Sequence, residues 1–402
     1  MRIAFISDQS GPYYVGGYEN RLWEFARRLA ALGHEVHVFT SCPADEVIEG
    51  VRFHRVVGYV NYFPSAGSMA GFRSLFRNGV YALALLRLLF RPSLRIDVVD
   101  ANSIPWLHLP IAWLLARWWR ARFVITVHEA FGSAIASYFA AKRVPFAKAQ
   151  GFCARAFYGW SQDLADELVA ASPSCVEGVR REGARQRITV LNPGQDAASL
   201  REIGFESPSV ALVSTGRLVQ MKRIDVLLKA AAQLDDPILH LIGDGPLASQ
   251  LRAMAAGLGL TRTVFHGTVD EERKRRILLS SQIFVLSSYR EGWSLATLEA
   301  MAYGCLPIFA SKPERYQTGV TFYAQPGVNS LAFDGSVDGL VLSIRYATAQ
   351  PARLAEMRRR AWETARKHSW SSVMAAADRF YRGRDPEDVS ALPHAAARVV
   401  RR

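Results

Sequence analysis

Two glutamates, Glu291 and Glu299, stand eight positions apart in the segment EGWSLATLEAMA. The apolar run QIFVLSS precedes them. This spacing predicts a strand, a turn carrying Glu291, and a helix with Glu299 two turns in. The first N–H groups of a helix have no partner inside it and favour anions. The amides of Gly292, Trp293, Ser294 and Leu295 therefore suit phosphate or sugar oxygens. A carboxylate accepts well from two adjacent hydroxyls, as on a ribose or a hexose. Glu299 taken alone reads equally as a capping or ion-paired helix residue.

Upstream, the run Ser214-Thr215-Gly216-Arg217-Leu218-Val219-Gln220-Met221-Lys222 ends a strand and puts two cations, Arg217 and Lys222, in the following loop. Ligands of doubly wound sheets bind beyond the carboxyl ends of strands. An arginine fork and a lysine point charge suit a diphosphate, each charge-assisted bond being worth about 1.5–3 kcal/mol. Such a pair alone is ordinary solvated surface; ahead of Glu291 and Glu299 it reads as part of one site. In the first half, Val15-Gly16-Gly17-Tyr18-Glu19 follows the first strand and precedes a helix from about Asn20. Two glycines there let backbone approach a phosphate closely; the plainer reading is a turn. His128 closes the apolar run VITVH, as a sugar-facing group or a structural one.

These residues need a scaffold of buried strands. Apolar runs at 2–7, 36–40, 97–101 and 122–127, and again at 210–215, 238–242, 282–287 and 306–310, alternate with helical patterns. Continuous apolar runs mark strands buried on both faces, and the alternation marks parallel sheets covered by helices. Leu22, Phe25, Ala26, Leu29 and Leu32 form one helical stripe stopped by Gly33; Ile224, Leu227, Leu228, Ala231 and Leu234 form another. The rhythm breaks near 195–208, which predicts a linker. The expected divisions are a first domain over 1–195, a second over 208–368, and a mobile tail over 383–402.

A 402-residue chain, half hydrophobic and about a fifth charged, holds two ordinary globular domains. Its formal charge of +13 suggests an anionic partner. The basic residues are scattered with no nucleic-acid-binding signature, so nucleic acid is not expected. Cys42, Cys153, Cys175 and Cys305 lie far apart, which argues against a metal site or disulfide framework and for a cytoplasmic setting. The start MRIAFIS reads as a strand, not a signal peptide. Segments 78–95 and 105–123 are apolar, aromatic and dotted with arginine. They read either as helices buried on one face or as a surface for an anionic membrane.

The combination of GRLVQMK with Glu291 and Glu299 resembles the retaining glycosyltransferases of family 4. The resemblance spans nearly the whole chain and is strongest over 211–307 and at Gly16-Gly17. It implies an α/β GT-B fold: two facing Rossmann-like, doubly wound parallel-sheet domains with a central cleft. It implies Arg217 and Lys222 on the donor diphosphate, Glu291 near the donor sugar, Glu299 on the ribose hydroxyls, and His266 with its neighbours Phe265 and Gly267 by the nucleobase. The Gly16-Gly17 loop would lie against the diphosphate and His128 would approach the sugar. Asn192-Pro193-Gly194 with Asp196 resembles the family's interdomain junction, and the segment from Trp370 to Tyr381 resembles its C-terminal helix, which implies a helix at about 370–382 returning to the first domain.

The implied reaction moves a hexose-like sugar from a UDP- or GDP-sugar to a hydroxyl acceptor with retention, with no metal and no other cofactor, in glycan, polysaccharide or glycolipid synthesis. Three features depart from the family pattern: SKPERYQTG lacks paired glycines before Glu314, Arg223 stands where a glycine often follows the lysine, and VNSLAFDGSVDGL is altered. They bear on sugar identity more than on the diphosphate. An epimerase or phosphorylase on the same fold, and a non-catalytic nucleotide-sugar-binding module, remain alternatives. A nicotinamide oxidoreductase would want a Gly-x-Gly-x-x-Gly that Gly16-Gly17 does not supply.

Overall fold

The computed structural model describes residues 1–14, 17–58, 70–91, 94–104, 106–128, 156–205, 210–235, 237–312, 317–384 and 397–400. They form two compact units, Met1–Pro193 with Ser371–Arg402, and Gly194–Trp370.

The first unit holds β1 (Arg2–Ile6), β2 (Glu35–Cys42), β3 (Glu46–Ile48), β4 (Val51–Gly58), β5 (Val98–Asn102), β6 (Arg122–Val127), β7 (Glu167–Ala170) and β8 (Ile188–Leu191). Its helices include α1 (Gly17–Ala31), α2 (Ala70–Leu85), α3 (Leu109–Trp119) and α4 (Pro173–Arg181). The described sheet runs Ala397–Val400, β8, β7, β6, β5, β1, β2, β4, β3. Its pairs are parallel except β3 on β4 and Ala397–Val400 on β8. Ile3 sits in register with Val36 on one side and Val98 on the other. Ile3, Ile6, Val99, Phe123 and Ile125 are fully buried, as strands covered on both faces must be.

Two expectations for this unit change. The helix expected from about Asn20 begins at Gly17, because Tyr18 and Glu19 already continue the helical turn and Glu19 suits its positive end. The tail expected to be mobile over 383–402 contains the strand Ala397–Val400, whose backbone pairs antiparallel with the edge of β8. The last helix, Trp370–Tyr381, is anchored within this unit beyond Trp370. Tyr381 donates to Asp100 Oδ2 at 2.6 Å, Thr126 donates to Oδ1 at 2.7 Å, and Arg122 donates to the Phe380 carbonyl at 2.6 Å.

The second unit holds β9 (Ala211–Thr215), β10 (Ile238–Ile242), β11 (Thr263–Gly267), β12 (Ile283–Leu286), the two-residue β13 (Arg290–Glu291), β14 (Leu306–Ala310), β15 (Gln317–Thr318) and β16 (Leu331–Phe333). The main sheet is β11, β10, β9, β12, β14, β16, all parallel, and β13 pairs with β15 apart from it. Helices α5 (Ile224–Ala231), α6 (Ala248–Gly257), α7 (Glu271–Leu279), α8 (Leu295–Ala302), α9 (Val337–Thr348) and α10 (Pro351–Lys367) complete the unit. β9 lies between β10 and β12, so the winding reverses there and a crevice opens beyond its carboxyl end.

The stretch 195–208, expected as a linker, docks on the second unit up to residue 205. Ala198 N–H donates to the Ala302 carbonyl at 3.1 Å, and Trp362 Nε1 donates to the Ala198 carbonyl at 2.8 Å. The fully buried Arg358 donates to the carbonyls of Gly304 at 2.7 Å, Gly204 at 3.0 Å and Phe205 at 2.7 Å. A buried guanidinium needs such acceptors, and a polar segment supplies them from its backbone.

Candidate functional site

The loop after β9 is shaped by backbone packing. Gly243 has φ +124°, and a Cβ on it would lie 2.1 Å from the Gly216 carbonyl oxygen. A Cβ on Gly245 would lie 2.6 Å from the Leu218 oxygen. These glycines let the turn after β10 press against residues 216–218, and Gly216 N–H donates to the Ile242 carbonyl at 2.9 Å. Arg217 is thereby held at the crevice with its side chain exposed.

Lys222 closes a short 3₁₀ turn, Gln220–Lys222. The next residue, Arg223, has φ +51°, a left-handed conformation that costs a branched side chain about 1–2 kcal/mol. Its guanidinium compensates: it bonds the Tyr289 hydroxyl and lies 4.6 Å over that ring. Ser287 Oγ donates to the carbonyls of Lys222 at 2.8 Å and Arg223 at 2.9 Å, and Tyr289 N–H donates to the Met221 carbonyl at 3.0 Å. The Lys222 turn is thus stitched to the segment that delivers Glu291. The result is a direct ion pair, Lys222 Nζ to Glu291 Oε1 at 2.5 Å, between largely buried partners. Beside it a pocket is lined by Ser214, Thr215, Gly216, Lys222, Ser287 and Ser288.

Ser294 precedes α8 with φ +55°, and its hydroxyl lies 2.8 Å from Thr297 Oγ1. The Trp293 ring is buried against Tyr323, 4.8 Å between centroids, and Tyr323 donates to the carbonyls of Trp293 at 2.9 Å and Ser294 at 3.1 Å. Trp293 therefore serves the site through its backbone; its indole is core. The amides of 292–295 sit at the positive end of α8, adjoining Glu291. Glu299, deep on α8, pairs with Lys274 Nζ at 2.8 Å. Burial pushes its carboxyl up and Lys274 opposes that shift.

His266, near the end of β11, faces His240 on β10, Nε2 to Nδ1 at 3.1 Å. Burial pushes both imidazoles down, with each other's charge and Arg273 adding to the effect at His266. In the first unit, His128 follows β6 and Tyr18 opens α1, ring centroids 5.7 Å apart. Tyr18 donates to Gln9 Oε1 at 3.0 Å, which joins the ends of β1 and β6 to the start of α1. Burial and the Arg21 charge hold His128 well below the usual imidazole range, so it is neutral. Gly17 lies in the first turn of α1, with nothing within 4 Å of a Cβ placed on it. Gly16 and Glu314 fall outside the described residues.

The structure therefore gathers Arg217, Lys222, Glu291, the 292–295 amides and Glu299 on the second unit, and Gly17 with His128 on the first. Sequence reasoning missed Lys274, which lies in the basic run EERKRR and looks like surface. It also missed Asp8, just past β1. That buried carboxyl is pushed up to about 7 by burial, with Arg77 opposing and Glu19 adding. Its signal was a lone acid at the end of an apolar run. Among the described residues no group of three or more potential metal ligands occurs.

Two doubly wound parallel sheets, each with polar groups collected at strand ends beside a helix start, define the GT-B class of glycosyltransferases. Residues 15–199 match Glycosyltransferase Family 4 and residues 197–368 match Glycosyl transferases group 1. The chain belongs to this glycosyltransferase family and is a glycosyltransferase. It is 28% identical to D-inositol 3-phosphate glycosyltransferase 2 of Catenulispora acidiphila, over 97% of this chain and 96% of that one. It is 27% identical to the D-inositol 3-phosphate glycosyltransferase of Thermobispora bispora, over 94% of each. Among solved structures, a sucrose-phosphate synthase from Thermosynechococcus elongatus superposes with TM-score 0.74 at 20% identity, covering 95% of this chain and 98% of that one. Anabaena HepE, solved with UDP and glucose, superposes with TM-score 0.70 at 16% identity, covering 95% and 100%.

Proposed function

We propose that this glycosyltransferase moves a hexose-like sugar from a UDP- or GDP-sugar to a hydroxyl acceptor with retention of anomeric configuration. The observation that carries the reading is the Lys222–Glu291 pair beside the amide end of α8, at the winding reversal of β9. Arg217, Lys222 and those amides face the place where charge develops on a departing diphosphate, which is where stabilisation accelerates transfer. In this reading the leaving phosphate helps take the acceptor proton, and fixed cations do the work that a metal does elsewhere. Glu299 accepts from the ribose hydroxyls and Glu291 contacts the donor sugar. His128, being neutral, is a hydrogen-bonding partner for the sugar and not a charge. Relatives named for D-inositol 3-phosphate make a phosphorylated cyclitol one arm of the acceptor screen.

The test is a melting-temperature screen against UDP-, GDP- and ADP-sugars, since a ligand of the native state raises the melting point. The matching donor is expected to bind Arg217→Ala and Glu299→Ala at least about tenfold more weakly than the parent, the worth of one charge-assisted bond. Unchanged affinity in both variants overturns the site.

We further infer that the protein works in the cytoplasm against an anionic membrane face. No described helix is long and apolar enough to cross a membrane. In the segments at 78–95 and 105–123, Tyr81, Leu85, Ala112 and Leu115 are core, while Leu83, Phe90 and Trp118 are exposed, Phe90 at 85%, with exposed Phe76 just ahead of the first segment. Exposed Arg87, Arg91 and Arg120 stand among them. Apolar anchors ringed by arginine fit an anionic interface. Co-sedimentation with phosphatidylglycerol vesicles is expected at low salt and is expected to weaken several-fold for Phe90→Ser/Trp118→Ser. No binding at low salt sinks this inference.

A further inference from the structure

Lys274 stands on α7, one turn past Asp270, whose side chain caps that helix by accepting from the Arg273 N–H at 2.7 Å. From there its ammonium reaches two carboxylates on different helices. One is Glu299 on α8, Nζ to Oε1 at 2.8 Å; the other is Glu271 on its own helix, Nζ to Oε2 at 2.8 Å. The two carboxylates differ sharply. Glu271 is 86% exposed, so water could serve it as well as the lysine does. Glu299 keeps only 13% of its side chain exposed. A carboxylate in such a place is driven toward its neutral form unless a cation faces it. A neutral Glu299 would lose accepting capacity and carry a proton on one oxygen.

The contact also fixes geometry. A carboxylate offers about four lone-pair directions. Lys274 occupies one, on Oε1. The χ3 torsion of a glutamate is soft, so an unanchored Glu299 would turn its plane freely on the helix. With Oε1 pinned, the carboxylate plane is held and the lone pairs of Oε2 keep a fixed direction.

We propose that Lys274 is the positioning residue of the ribose site: it holds Glu299 ionised and oriented to accept from the hydroxyls of the donor's ribose. The proposal rests on the reading of Glu299 as the ribose carboxylate. It gives a specific role to one lysine in a run of cations whose other members, Arg273 and Arg276 among them, line an open surface beside Ile277 and Ser280.

The experiment measures binding of UDP and 2′-deoxy-UDP, with GDP and 2′-deoxy-GDP alongside, to the full chain and to Lys274→Met, Lys274→Gln, Lys274→Arg and Glu299→Gln. Melting temperatures without nucleotide report which variants fold. The parent is expected to prefer the ribonucleotide about tenfold, the worth of one charge-assisted bond. Lys274→Met and Lys274→Gln are expected to lose that preference by weakening the ribonucleotide alone, leaving the deoxynucleotide unchanged, and Lys274→Arg is expected to restore most of it. Damage to the unit as a whole would weaken both nucleotides equally. If Glu299→Gln abolishes the preference while Lys274→Met and Lys274→Gln keep it, the role of Lys274 is overturned and the ribose reading survives. If Glu299→Gln itself keeps the preference, the ribose reading falls and takes the proposal with it. Tighter ribonucleotide binding by Lys274→Met would overturn the proposal by showing that the lysine blocks Glu299.

Discussion

Replacing Lys222 with Met is expected to slow release of nucleoside diphosphate from the sugar donor, to water or to acceptor, by about 10²–10³-fold. The lysine faces the crevice from a turn that Ser287, Arg223 and Tyr289 hold rigidly, so its charge needs no rearrangement when the diphosphate departs. An interaction that strengthens only as charge develops shows in kcat more than in donor affinity. The pairing with Glu291 adds a second expectation. In Lys222→Met, Glu291 is left with only 14% of its side chain exposed and without the Lys222 ammonium. The share of Glu291 that stays ionised would then repel the donor phosphates. Lys222→Met/Glu291→Gln is therefore expected to bind donor more tightly than Lys222→Met alone, although neither turns over well. Contacting residues couple in this way and distant ones do not. Simple additivity of the two changes would mean that the 2.5 Å contact does not persist in solution.

That contact shows which part of the site was legible in the sequence. The spacing of Lys222, Glu291 and Glu299 pointed to one site because Lys222 follows a strand, Glu291 precedes a helix and Glu299 lies on that helix, and strand ends and helix starts are set by local rules. Buried strands were legible by their composition: β1, β6, β9, β10 and β14 are apolar over most of their length. The strands not anticipated lack that mark. β4 reads VRFHRVVG, with alternating charge because it lies near the sheet edge, and β7 and β8 are four residues each. The segment 195–208 looked like a linker because the partners of its described part, Trp362 and Arg358, come some 150 residues later. Lys274 was hidden differently. In EERKRR the four basic side chains carry the same signal, and only the fold shows which one meets a buried carboxylate.

The glycines of the diphosphate loop allow the sharpest structural test. Gly243→Ala is expected to cost at least about 3 kcal/mol, because two separate penalties fall on one residue. The first is conformational: φ of +124° lies where a side chain with a Cβ is strained. The second is steric. The added Cβ would meet the Gly216 carbonyl oxygen at 2.1 Å, and that atom is backbone, which cannot swing aside as a flexible side chain would. Relief requires the loop carrying Arg217 to move outward, breaking the bonds from Gly216 N–H to Ile242 and from Leu218 N–H to Asp244, each 2.9 Å. Stability and donor binding should therefore fail together, with a melting temperature of the Gly194–Trp370 unit lower by roughly 6–12 °C. Gly257→Ala is the control. That glycine ends α6 in helical conformation with open space around its Cβ position, so the exchange should stabilise by about 0.5–1 kcal/mol and leave donor affinity alone. Should Gly243→Ala melt like the parent and bind donor as tightly, the close approach of the two turns is not what holds the diphosphate loop. Should it melt lower yet bind normally, the loop tolerates displacement, and Arg217 reaches the donor by its own flexibility and not by the placement of its backbone.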